Sequence, residues 1–89
     1  MSLTKDTIKT YSIANIAKLI GTDWGNISVH ARPYLIAMLY LESISDKYGA
    51  DSGTSVVSYF LSNARSYTGE TAKLVKAELN RRVKASYKS

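Results

Sequence analysis

The spacing of apolar residues along the chain predicts a series of helices, with the clearest punctuation in the second half. Ile8, Ile13, Ile16, Ala17 and Ile20 mostly recur at the spacing that lines one helix face, which predicts a helix from about Lys5 to Ile20. Gly21 is placed to end it as a C′ glycine. Thr7–Ser12 is rich in β-branched and hydroxyl residues, so the same pattern also allows a start at Ser12. Between Thr22 and Arg32, Ile27, Val29 and Ala31 alternate with Ser28, His30 and Arg32, which fits a short strand or an extended loop. Arg32 precedes Pro33, a placement that biases it away from helical angles.

Pro33 suits the first turn of a helix, where its missing N–H is no loss. That helix is predicted to run to about Tyr48, with Gly49 as its stop. Tyr34–Leu41 is apolar on every face, and a helix apolar all round is enclosed by its neighbours. Ile44 continues its buried side. A third helix is predicted after Asp51 or Ser52, either of which can cap it, and runs to near Tyr67. Its core face is Val56, Val57, Phe60, Leu61 and Ala64. Thr68 is the expected cap of a fourth helix, Gly69–Ser86, with Glu70 in the first turn, where negative charge is favoured. Ala72, Val75, Leu79 and Val83 form its core stripe. Lys73, Ala77, Arg81, Lys84 and Lys88 form a second stripe on another side, and Leu74 falls well off the core stripe. The expected fold is all-α: a small four-helix domain around a central buried helix at about 33–48, one domain over residues 1–89.

Composition narrows the chemistry. The chain is 45% hydrophobic and 21% charged, a balance that supports a folded core. With no cysteine, it has no disulfide, no thiolate nucleophile and no sulfur ligand for zinc. His30 is the only histidine, so a two-histidine metal site is excluded, and it is read as a surface or loop-packing residue. The longest apolar run, Tyr34–Leu41, falls far short of the ~20 residues that cross a bilayer. With no charged-then-apolar leader pattern, the expected setting is cytoplasmic and off the membrane.

Catalytic motifs are missing. No G-x-S-x-G elbow is present, and Glu42, Asp46 and Asp51 do not follow a calcium-loop pattern. Asp46 is read as a surface residue. The glycines of Tyr48–Gly53 match no phosphate-binding loop. These readings predict a chain that is not an enzyme, with no cofactor, no metal and no small-molecule substrate.

Binding remains. The net charge of +5 favours acidic partners, nucleic acid among them. Ile16–Ser28 resembles a helix-turn-helix in the placing of Ala17, Gly21 and Ile27. On that reading Trp24, Asn26, Ser28 and Arg32 face a groove, although Gly25 weakens such a recognition helix and Pro33 truncates it. Lys73, Arg81, Lys84 and Lys88 recur one or two turns apart along a face, as phosphate contacts would, or as a solvated helix end with cations near its C-terminus would. Of the seven tyrosines, Tyr34, Tyr40 and Tyr59 are expected at the core margin. Tyr11, Tyr67 and Tyr87 are open to exposure or partial burial. Leu74 beside Tyr67 or Ala77 is a candidate self-association contact.

Asp23-Trp24, Pro33-Tyr34, Ala37-Met38, Ile44, Asp46, Tyr48-Gly49, Asp51-Ser52, Tyr59–Ala64, Gly69–Ala72 and Lys76–Leu79 stand in an order that resembles small uncharacterised helical proteins of bacterial phages, prophages and related mobile elements. The resemblance spans roughly Ile13 to Arg82 and implies a helical fold and a cytoplasmic bacterial context. It carries no residue-level activity. Asp23, Trp24 and Asn63 belong to the ordered set without a structural explanation from the pattern, which makes them candidate interaction residues, with Trp24 also fitting a core lid. The expectation is therefore a non-catalytic interaction module of phage or mobile-element type that engages a protein partner or itself. The alternative is nucleic-acid binding through the basic helix face or the Trp24–Arg32 segment.

Overall fold

The computed structural model describes residues 3–88, with side chains through residue 87. It is mostly helical, with one small antiparallel hairpin. The elements are α1 (Lys5–Ile8), α2 (Ile13–Asp23), α3 (Arg32–Met38), β1 (Lys47–Tyr48), β2 (Asp51–Ser52), α4 (Gly53–Ser62) and α5 (Glu70–Lys88). α4 packs against α3, α5 and the hairpin, α2 packs on α3 and α5, and α1 lies on α5.

The first predicted helix is two. Thr4 caps α1 by accepting the Thr7 N–H, and Ser12 caps α2 by accepting the Asn15 N–H at 3.0 Å. The later of the two possible starts is therefore a real helix start. Gly21 does not stop α2. The helix continues to Asp23, and the Trp24 N–H closes its last turn on the Ile20 carbonyl at 2.7 Å. No strand forms between Trp24 and Ala31. Instead the Ser28 carbonyl accepts the N–H groups of both Ala31 and Arg32 at 3.1 Å and winds the chain into α3. Arg32, expected outside the helix, is its first residue.

The largest departure is the central helix. Instead of running to Tyr48, α3 ends at Met38 after seven residues. The Leu39, Tyr40 and Leu41 N–H groups step down to i−3 carbonyls, a tightening typical of a helix end. The reason lies on another element. The first N–H groups of any helix lack partners within it. Here the Ile13 N–H donates to the Glu42 carbonyl at 2.9 Å and the Ala14 N–H to the Leu41 carbonyl at 2.8 Å. Those carbonyls face the start of α2, so the chain leaves α3 to deliver them.

Beyond that point the Asp46 carboxylate accepts the Glu42 and Ser43 N–H groups at 2.9 and 3.1 Å. Asp46, expected as a plain surface residue, thus holds the turn that leads to the hairpin. Gly49 does not end a helix. It has φ +61 at the first position of the two-residue turn joining β1 to β2, as a type II′ turn requires. Lys47 pairs with Ser52 and Tyr48 with Asp51. Ser52, not Asp51, caps α4, accepting the Ser55 N–H at 3.1 Å. α4 ends at Ser62 rather than near Tyr67, and Gly69 with φ +113 stands directly before α5.

The core joins Ile13, Ile16, Ala17 and Ile20 of α2 to Leu35, Ala37 and Met38 of α3, Val56, Val57 and Phe60 of α4, and Ala72, Val75, Leu79 and Val83 of α5. The predicted α4 and α5 stripes are thus buried, although Leu61 is only partly so. Ala64 and Tyr67 join the core from the loop after α4.

Candidate interaction surface

The short α3 leaves much of the apolar stretch on the outside. Leu35, Met38 and Leu41 point inward, while Ile36, Leu39 and Tyr40 are exposed. Tyr40 is 71% exposed and Tyr59 55%, so neither sits at the core margin as expected. These rings are paired. Tyr34 stacks on Tyr59 across α3 and α4 at 5.4 Å, and Tyr40 lies 5.6 Å from Tyr48 of the hairpin. Tyr34, Tyr48 and Tyr59 help line a groove of about 530 Å³ together with Pro33, Ala37, Asp51 and Val56, and Tyr40 adjoins it through Tyr48. Among the described residues Asp51 is the one charged side chain in that lining, and it is exposed.

Tertiary structure positions each wall. Pro33 and Tyr34 enter on the first turn of α3. Tyr48 and Asp51 are cross-strand partners, so the II′ turn fixes them opposite each other. Val56 and Tyr59 lie three residues apart on α4, on one face. The result is a concave strip with a floor of Ala37 and Val56 and aromatic sides.

The residues singled out from sequence go elsewhere. Trp24 is buried, stacks on Tyr67 at 5.1 Å and meets Phe60 edge-on at 6.3 Å. It is the core lid, not a groove-facing side chain. Tyr67, which the pattern leaves open to exposure or partial burial, is 1% exposed, with Lys76 Nζ 5.7 Å from its ring centre. Among the described residues its buried hydroxyl has no partner in good hydrogen-bond geometry. Burial, and then the neighbouring Asp23 carboxylate, push its pKa well above the ordinary phenol value. Asn63 closes α4, its Nδ2 donating to the Tyr59 carbonyl at 2.8 Å.

The helix-turn-helix resemblance does not survive. α2 runs through the proposed turn, and no second helix follows until α3. Asn26 and Arg32 are exposed, and the Ser28 Oγ faces the His30 N–H at 3.3 Å.

The basic stripe of α5 is also divided. Lys73 and Lys84 are exposed, and the Lys88 side chain lies outside the described residues. Arg81 is committed to Glu78 through two bonds, Nε to Oε1 at 2.9 Å and Nη2 to Oε2 at 2.6 Å. Leu74 is half-buried beside Ala77 and away from Tyr67, in a second groove against α1.

The feature that pattern reading missed is Glu78, a carboxylate only 4% exposed. It also accepts from Arg82 Nε at 2.6 Å. Arg82 Nη2 then reaches the carbonyls of Ile8, Lys9 and Tyr11 at 3.2, 3.3 and 2.8 Å, closing the C-terminal end of α1. Hydrogen bonding from Arg81, opposed by burial and reinforced by Arg82, holds the Glu78 pKa below the usual carboxylate range. The spacing Glu78, Arg81, Arg82 was the available signal, since residues three and four apart meet on a helix.

Among the described residues no group of three acidic or histidine side chains is placed to hold a metal ion, and no helix is long and apolar enough to cross a membrane. No family model, curated protein or solved structure matches the chain.

Proposed function

We propose that the chain is a non-catalytic interaction module that engages a protein partner through the tyrosine-lined groove between α3, α4 and the hairpin. The observation that carries this reading is the convergence of Tyr34, Tyr48 and Tyr59 on one concave strip, with Tyr40 set against Tyr48 beside it. Tyrosine offers large apolar contact area and a polar tip at small rotamer entropy, which is why it recurs where proteins bind proteins. Ile36 and Leu39 of the same apolar stretch are also exposed. Asp51 disfavours a phosphate backbone in the same groove, which argues against nucleic acid there.

The test is selection of displayed peptides on the purified chain, followed by affinity measurement against Tyr40→Ser/Tyr59→Ser. Both positions are exposed, so the variant keeps its fold. The expected result is a loss of about tenfold or more, the order of a hot-spot truncation. Selected peptides that bind both proteins equally would overturn the proposal. So would binding confined to DNA or RNA, weakening steeply with salt and lost on changing Lys73 and Lys84. Light scattering across concentration decides whether the occupant is a second copy: a rising mass, lost in the double variant, assigns the groove to self-association.

A further inference from the structure

We propose that the groove between α1 and α5 is a second docking site, built for an acidic peptide segment that carries an apolar side chain. Its volume is about 250 Å³, and its lining is Lys5, Ile8, Lys9, Leu74, Ala77, Glu78 and Arg81. Ile8, Leu74 and Ala77 supply the apolar surface, and Lys5, Lys9 and Arg81 supply cations from both helices. The charges do not cancel locally. Glu78 is shared between two guanidinium groups, which leaves the trio with a surplus positive charge. Lys9 meets Asp6 only at 4.0 Å, through a carboxylate that is 97% exposed, a pair too weak to occupy the lysine.

Arg81 is the organising element. Its two bonds to Glu78 fix the plane of the guanidinium, and its Nη1 has no partner among the described residues. An arginine already ordered loses little further entropy when it binds a carboxylate. Among the described residues the lining has no aromatic ring on which a base could stack, which favours a peptide over single-stranded nucleic acid. An apolar side chain set between carboxylates matches the groove: the side chain against Leu74 and Ala77, the carboxylates toward Lys5, Lys9 and Arg81.

The experiment uses the full chain and a fluorescein-labelled peptide in which leucine is flanked by glutamates. Anisotropy should report binding that weakens with salt, and weakens about tenfold in Lys5→Glu/Lys9→Glu. Replacing the peptide leucine by glycine should weaken binding several-fold. Amide shifts in the wild-type chain should centre on Leu74 and Ala77, a readout independent of the variant. Tyr40→Ser/Tyr59→Ser should bind this peptide unchanged, which separates the site from the tyrosine groove. The proposal is overturned if the charge-reversed variant binds equally, or if the leucine makes no difference. It is also overturned if an oligonucleotide or an anionic phospholipid vesicle binds at Leu74 and Ala77 where the peptide does not.

Discussion

Arg82 holds α1 to the rest of the molecule, and replacing it should release that turn. α1 has only four residues, far below the length at which an isolated helix persists in water. It brings one fully buried side chain, Ile8, to the core. Arg82, with its side chain only 13% exposed, donates to three carbonyls at the end of that turn and to Glu78. Arg82→Met keeps the aliphatic length and removes every one of these bonds. Breaking a buried ion pair from one side costs about 3–5 kcal/mol. Arg81 remains on Glu78 and limits the damage, so a loss of about 2–4 kcal/mol is expected.

Urea unfolding gives the magnitude. Hydrogen exchange gives the location, because the Thr10 and Tyr11 amides, which donate to the Thr7 and Ile8 carbonyls, should lose protection before α4 does. Arg81→Met is the control: Arg81 is half-exposed and bonds within α5, and Arg82 stays on Glu78 and on the α1 carbonyls, so its replacement should cost less, about 1–2 kcal/mol, and leave α1 protected. Glu78 adds a pH signature. Its folded pKa is depressed, so its contribution is full above the ordinary carboxylate range and is lost as pH falls through the folded pKa. Glu78→Gln should flatten that acid limb. Equal losses in Arg81→Met and Arg82→Met, or an α1 as protected as before, would refute the assignment.

Two glycines should respond in opposite directions. Gly21 lies inside α2 with open space where a Cβ would go, so Gly21→Ala should stabilise by about 0.5–1 kcal/mol; a lower Tm would show that the helix does not run through it. At Gly53 a Cβ would lie 2.6 Å from the Ile44 carbonyl oxygen and 2.9 Å from that of Asp46, so Gly53→Ala should cost about 1–3 kcal/mol. Tyr67 stays neutral in the folded chain while the unfolded phenol ionises near pH 10, so stability should fall above that pH by about 1.4 kcal/mol per pH unit. Tyr67→Phe should remove that part of the alkaline slope; an unchanged slope would place the titration elsewhere.

What the pattern revealed depended on whether the deciding contact was local. Ser12, Ser52 and the stripe Ala72, Val75, Leu79 and Val83 were legible because caps and helical periodicity act within a few residues. Trp24 was legible as a core lid, but its partner Tyr67 was not separable from a surface aromatic, because its burial comes from stacking across forty-three positions of sequence. Gly21 misled for a different reason. A glycine permits a helix end without compelling one, and α2 gains a further turn closed on Ile20.

The early end of α3, at Met38 rather than Tyr48, creates the candidate site. Eight apolar residues in a row do fit a buried rod, and nothing within Tyr34–Leu41 says where that rod must stop. The stop is imposed by Ile13 and Ala14, whose free N–H groups take the carbonyls of Glu42 and Leu41. Once the helix ends there, one side of the stretch reaches the core through Leu35, Met38 and Leu41, while Ile36, Leu39 and Tyr40 are left outside. The residues freed from the longer helix then form the hairpin, which brings Tyr48 to Tyr40 and sets Asp51 opposite Tyr48. The aromatic groove is thus a consequence of capping α2 from a distance. Its tyrosines could be counted in the sequence, but their convergence depends on two backbone hydrogen bonds made some twenty-seven residues away.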